Sequence, residues 1–252
     1  MDETLNGFLV AARENEAESL NENTQMVCLL EKMTAALRDA AGLNPDLTRK
    51  GLNPLEAILL ANAHSLFLAA VRVALSGQSP PVFAILRASL ESALYAVIAA
   101  QGAENRQLWY DRPEKIKECR KVYNKDTVTK YLKSVDPNLA DLVAQHYGWS
   151  IELGAHPNVK SVAHHLSFND QRDDGNTAVT LAILHNAGSG KILQTLAACF
   201  EVGSCILYLG PHALPDYEPA GTGHGLSTAL TVEFHSLMQP FMPPEWLASS
   251  QQ

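Results

Sequence analysis

The chain has 252 residues, 46% of them hydrophobic and 18% charged. That length supplies one large domain with a substantial core, and the composition excludes a disordered or fibrous chain. The formal net charge of -8 sets the molecule as a whole against nucleic acid and anionic membrane, so only a local basic face could bind either.

The N-terminal stretch "MDETLNGFLVAARENEAESL" carries acids early and lacks the basic region and apolar run of a signal peptide. The four cysteines, Cys28, Cys119, Cys199 and Cys205, form no C-x-x-C pair. Both features predict a cytoplasmic protein with free thiols. The longest apolar runs are broken by Arg72, by Arg87 with Glu91, or by small polar residues. The expectation is therefore of no membrane span.

Along the chain, a first helix is predicted over about 17–41, with Gly42 as its stop. Asn53, Pro54 and Glu56 then supply a cap, a first-turn proline and a near capping box for a helix over 54–76. Gly77 follows it. Ser79 and Pro80 repeat the device for a helix over 80–101, which ends before Gly102. Proline suits the first turn because its missing N–H would have had no helical partner there. "SGQS" joins these two helices into an antiparallel central hairpin. Further helices are predicted over 113–133, over 137–152 behind Asp136 and Pro137, over 189–209, and over about 225–239. Residues 154–176 read as an irregular connection. "TAVTLAIL", 177–184, is read as helix or extended strand, too isolated to build a sheet. The fold class is all-α: a single multi-helix bundle with a less regular C-terminal part. Residues 1–210 form the bundle domain, and 211–252 a loop and C-terminal appendage packed on it.

Arg87 and Glu91 sit one turn apart amid Phe83, Leu86, Leu90, Leu94 and Tyr95. In the preceding helix His64, Leu68 and Arg72 fall along one line. An unpaired buried charge costs several kcal/mol, so each of these groups must be paired or reach water. Two readings follow. One is an Arg87–Glu91 link that fixes helix register. The other is a polar pocket of His64, Arg72, Arg87 and Glu91, open to a small anionic ligand.

Three of the nine histidines fall in "GAHPNVKSVAHHLSFND": His156, His164 and His165, with Lys160, Asn169 and Asp170. No H-E-x-x-H and no Cys/His set at zinc spacing exists, so no metal and no cofactor is expected. A three-histidine site would make the protein a metal-dependent hydrolase. His156 follows a predicted helix end and precedes Pro157, a placement the helix dipole favours. If it faced Arg87 and Glu91, the three would form a catalytic set for phosphate chemistry: Glu91 orienting the imidazole, Arg87 gripping the anion.

"GSGK", 188–191, fails as a P-loop, because His185 stands where its first glycine belongs and Ile192 where Ser or Thr belongs. "GTGHG", 221–225, has no strand before it and reads as a loop. Residues 104–133 carry nine Lys or Arg against five acids, with Trp109, Tyr110, Tyr123 and Tyr131 interleaved. That composition either contacts single-stranded RNA, through Lys117, Arg120, Lys121 and Tyr123, or forms an ordinary solvated helix.

"AHSLFLAAVRVALSGQSPPVFAILRASLESALYAV" is similar to a group of bacterial helical proteins of unknown function. They carry a helix ending near a glycine-containing turn, a helix with L-R-x-x-x-E, and a later His-Pro. Here those positions are Leu86, Arg87, Glu91, His156 and Pro157, and the likeness covers roughly 54–160. Such proteins loosely resemble the HEPN-like bundles, many of which are metal-independent RNases. That resemblance implies a phosphate held by Arg87 and a proton moved by His156. The chain lacks the family's Arg and His on one helix, so the two would have to meet in space. The functional expectations are a ligand-binding or interaction protein, then a HEPN-like RNase or nucleotide-processing enzyme, then a metal-dependent hydrolase. A homodimer through an Ala- and Leu-rich helix face is expected.

Overall fold

The computed structural model describes residues 4–41, 54–155, 159, 162, 166–171, 177–181, 183–215 and 224–241. The elements run α1 (Leu5–Glu22), α2 (Thr24–Ala40), α3 (Pro54–Leu75), α4 (Ser79–Ala100), α5 (Ala103–Tyr110), α6 (Ile116–Val122), α7 (Lys125–Val135) and α8 (Pro137–Ser150). A π-helical turn, Ile151–Ala155, extends α8. Then come β1 (Leu166–Gln171), β2 (Thr177–Leu181), α9 (Gly190–Ala213) and α10 (His224–Met238), closed by a 3-10 turn over Gln239–Phe241. The fold is all-α, a helical bundle carrying one small hairpin.

The central α3–α4 hairpin forms as expected. Small side chains let the two backbones approach: Ser89 Oγ donates to the Ala63 carbonyl at 2.7 Å, and Ser92 Oγ to that of Leu59 at 2.8 Å. The turn between them uses Gly77 at φ +87°, a left-handed conformation that costs other residues 1–2 kcal/mol or so. The His185 amide donates to the Gly77 carbonyl at 2.9 Å and ties the turn to the approach of α9. α9 runs parallel to α4, since Ser79 at the start of α4 meets Thr195 near the start of α9. At Gly203 it closes on Phe67 of α3 and Met33 of α2. α8 runs antiparallel to α4: Tyr147 reaches Arg87 and Glu91, while Gly154 lies against Pro80 and Phe83. Phe67, Leu86, Leu90, Leu94, Leu196 and Phe200 are fully buried where these helices meet.

Several expectations are corrected. The helix expected over 17–41 is two helices starting at Leu5. Asn23 divides them, its Nδ2 donating to the carbonyls of Ser19 and Ala187. The helix expected over 113–133 is also two. Asn124 caps α7 by accepting from the Thr127 amide at 3.0 Å, a local bond that competes with continued helix. "TAVTL" does build a sheet, pairing antiparallel with β1 in the register Phe168 with Val179. α9 continues past 209 to Ala213, with Pro211 tolerated in its last turn. α10 packs on α2 and α9, where Phe234 stacks on Phe200 at 4.3 Å and Lys32 pairs with Glu233 at 2.7 Å. Among the described residues α3, α4 and α9 are long and apolar enough, by length and composition alone, to cross a membrane. The interrupting charges do not remove that property. In this fold, 67% of the apolar stretch of α4 and of α9 is buried inside the bundle.

Candidate functional site

A half-open cavity of about 180 Å³ lies between α4, α8 and α9. Its walls follow helical spacing. α4 contributes Ser79, Phe83 and Leu86; the end of α8 and its π turn contribute His146, Trp149, Ser150 and Leu153. α9 contributes Lys191, Gln194, Thr195, Ala198, Glu201 and Val202, one face over three turns. A space of about 150 Å³ is enough for benzene, so this one suits a ligand of one ring or a short chain.

Most polar groups on the wall are already satisfied. The Thr195 hydroxyl donates to the Lys191 carbonyl at 2.7 Å and therefore accepts from the Ser79 hydroxyl. Ser150 Oγ donates to the His146 carbonyl at 2.8 Å. Lys191 and Gln194 are exposed at the rim. Two groups remain. His146 is only 6% exposed, and among the described residues its ring nitrogens make no hydrogen bond; neither is a fully buried unpaired atom, so both retain surface on the cavity. Its Nδ1 lies 3.9 Å from Glu201 Oε2, beyond hydrogen-bond reach, and the Trp149 ring meets the imidazole edge-on at 5.1 Å. Burial lowers the His146 pKa to about 4 and raises the Glu201 carboxyl to about 7. The imidazole is neutral and the carboxyl changes charge near neutrality. Glu201 keeps 36% of its side-chain surface accessible, so water reaches it from the mouth.

The residues singled out from the sequence lie elsewhere. Arg87 Nε bonds Glu91 Oε1 at 3.0 Å, Arg87 Nη2 donates to Tyr147 Oη at 3.0 Å, and the Tyr147 hydroxyl donates to Glu91 Oε1 at 2.6 Å. The guanidinium also lies 5.0 Å from the Tyr147 ring centre. This closed triangle joins α4 to α8 in a half-buried position beside the cavity, whose wall includes Leu86 but neither Arg87 nor Glu91. Burial, then the Glu91 carboxylate, raises the Tyr147 hydroxyl to about 12.

His64 and Arg72 do not join the triangle in one pocket. His64 is buried toward α2, and burial followed by the Arg38 charge lowers its pKa. Arg72 is exposed and pairs with Glu16 of α1 at 3.4 Å. The contacts of these groups thus go to three different helices. A line of side chains on one helix need not face one partner when three helices surround it. His156, His164 and His165 lie outside the described residues, as does Lys160. Among the described residues no group of three His, Cys, Asp or Glu is placed to hold a metal.

Lys117, Arg120 and Lys121 are exposed on α6. Tyr123 is not beside them on the surface: it is buried at 4% exposure, and its hydroxyl donates to the Asn105 carbonyl at 2.8 Å. Its ring packs against Trp109 at 4.9 Å and Tyr95 at 5.5 Å. No face of it is left for a base, which corrects its assignment to a nucleic-acid surface. His146, Glu201 and Tyr147 were missed. For His146 and Glu201 a signal was present as polar residues at helical spacing, His146 with Ser150 on α8 and Lys191, Gln194, Thr195 and Glu201 on α9. No protein-family model, curated protein or solved structure matches this chain.

Proposed function

We propose that the protein is a binding protein for a small molecule, and that its site is the cavity between α4, α8 and α9. The carrying observation is His146, nine-tenths buried with both ring nitrogens unbonded, facing a space that a ligand can fill. Neither nitrogen is among the fully buried side-chain atoms that lack a partner, so each keeps surface on the cavity, where a ligand can bond it in place of solvent. The perturbed carboxyl of Glu201 in the same cavity supports the reading, since shifted groups gather at functional sites. The Arg87–Glu91–Tyr147 triangle is then the brace that holds α8 against α4 and sets the width of the cavity.

Cavity filling tests this. Ala198→Phe places a ring in the space without removing a polar group. In a thermal-shift screen of single-ring compounds, hits at about a hundredfold excess over Kd should raise the wild-type Tm by roughly 5–10 °C. The same hits should leave Ala198→Phe unmoved. Equal shifts in both proteins, or no hit at all for the wild type, would overturn the assignment.

A further inference from the structure

Resting on that assignment of the cavity, we infer that its ligand is a small amine cation with an apolar body of about one ring. The chemistry of the walls selects the charge. Where α8 meets α9 the wall presents two hydrogen-bond acceptors, the Glu201 carboxylate and one nitrogen of the neutral His146 imidazole, whose Nδ1 lies 3.9 Å from Oε2. An ammonium group offers donors and no acceptor, so both can bond it at once. An anion would meet the Glu201 carboxylate at this point, with only the neutral N–H groups of the His146 and Trp149 rings as donors beside it. A neutral alcohol could satisfy one of the two acceptors with its single proton.

Nothing among the described residues supplies that cation. Among the described residues, Glu201 has no ion-pair partner except the His146 ring. Lys191 lies on the same wall but ten residues earlier, roughly 15 Å along the helix axis. The lining also includes Trp149, Phe83 and Leu86, and an aromatic face attracts a cation held near it. The volume, about 180 Å³, admits one ring with a short arm.

The test compares three probes of one size: benzylamine, benzyl alcohol and benzoate. Calorimetry is run at pH 8 on the full chain and on Glu201→Gln and Ala198→Phe. Benzylamine should bind the wild type at least tenfold more tightly than either isostere. Glu201→Gln should lose at least tenfold for benzylamine while keeping benzyl alcohol, which shows that the cavity still forms. Lowering the pH to 5 should weaken benzylamine binding in the wild type and not in Glu201→Gln, because only the former gains a proton there. Of the other groups near Glu201, burial keeps the His146 ring neutral until about pH 4 and holds the Cys205 thiol protonated. The α4 wall, made of Ser79, Phe83 and Leu86, carries no acid or base. Benzyl alcohol or benzoate binding as tightly as benzylamine would overturn the amine and leave the cavity standing. Benzylamine binding that survives Glu201→Gln but not Ala198→Phe would likewise overturn the carboxylate's role. Failure of all three probes on the wild type would remove both the amine and the site.

Discussion

Replacing Glu201 by glutamine should stabilise the protein at pH 8. The carboxyl rises on folding from 4.5 to about 7 because burial penalises its charge. An acid raised in this way binds its proton more firmly in the folded chain. Stability therefore falls as pH rises from about 4.5 to 7, and the whole cost stands above pH 7. At 1.36 kcal/mol per unit the upper bound is about 3 kcal/mol. Over a third of the side chain meets solvent, and screening brings the figure to about 1–2 kcal/mol. His146 works in the opposite sense. Burial lowers it from 6.5 to about 4, so the folded chain refuses a proton that the unfolded chain accepts. Its stability contribution is lost as pH falls from about 6.5 to 4. The two windows overlap with opposite signs and largely cancel in the wild type. Glu201→Gln removes one of them. The variant should gain about 1–2 kcal/mol at pH 8 and almost nothing at pH 4.5. Its own stability should then fall by at least about 2–3 kcal/mol between pH 7 and 4, since burial lowers His64 and His212 as well as His146. Urea titrations at pH 8, 6 and 4.5, with an unchanged m-value, read all of this. A variant that is less stable than wild type at pH 8 by 1 kcal/mol or more would show that the carboxylate already has a stabilising partner, and the reasoning would fail.

Two further outcomes test the frame that holds the cavity. Glu56 is 1% exposed, its Oε1 is bonded by Arg106 Nε at 2.6 Å, and its Oε2 has no partner among the described residues. Arg106→Ala should cost about 3–5 kcal/mol in urea unfolding, while the double change to Glu56→Leu with Arg106→Met recovers most of it; a single variant within 1 kcal/mol of wild type would contradict a buried pair. Gly77→Ala forces a side chain onto a left-handed backbone and against Asn15 and the His185 carbonyl. It should lower Tm by at least several degrees, and an unchanged melting curve would show that the α3–α4 turn is not as placed.

How much of this was legible depends on where each residue finds its partner. The α3–α4 hairpin was readable because its signals are local: proline in the first turns, glycine at the stop, and the Asp136 cap that starts α8 by accepting from the Leu139 amide. The Asn124 cap between α6 and α7 is equally local, a signal present in the sequence and passed over, whereas the break at Asn23 was not readable. Asn23 is held partly by the carbonyl of Ala187, 164 residues away, and no window of sequence contains that bond. The same distinction decides the site. Two charges in an apolar helix drew attention to Arg87 and Glu91, but four-residue spacing lets them bond each other, and Tyr147 completes the set. Glu201 lies in an equally apolar helix, where its neighbours three and four residues away are Ala197, Ala198, Ser204 and Cys205. None of those can neutralise a carboxylate. His146 likewise has Leu142, Val143, Trp149 and Ser150 around it. An ionisable group whose helical neighbours can pair it is explained by its own helix. One whose neighbours cannot must find its partner across the fold, as Glu56 finds Arg106, or in a ligand, and His146 and Glu201 lie side by side on the wall of one cavity.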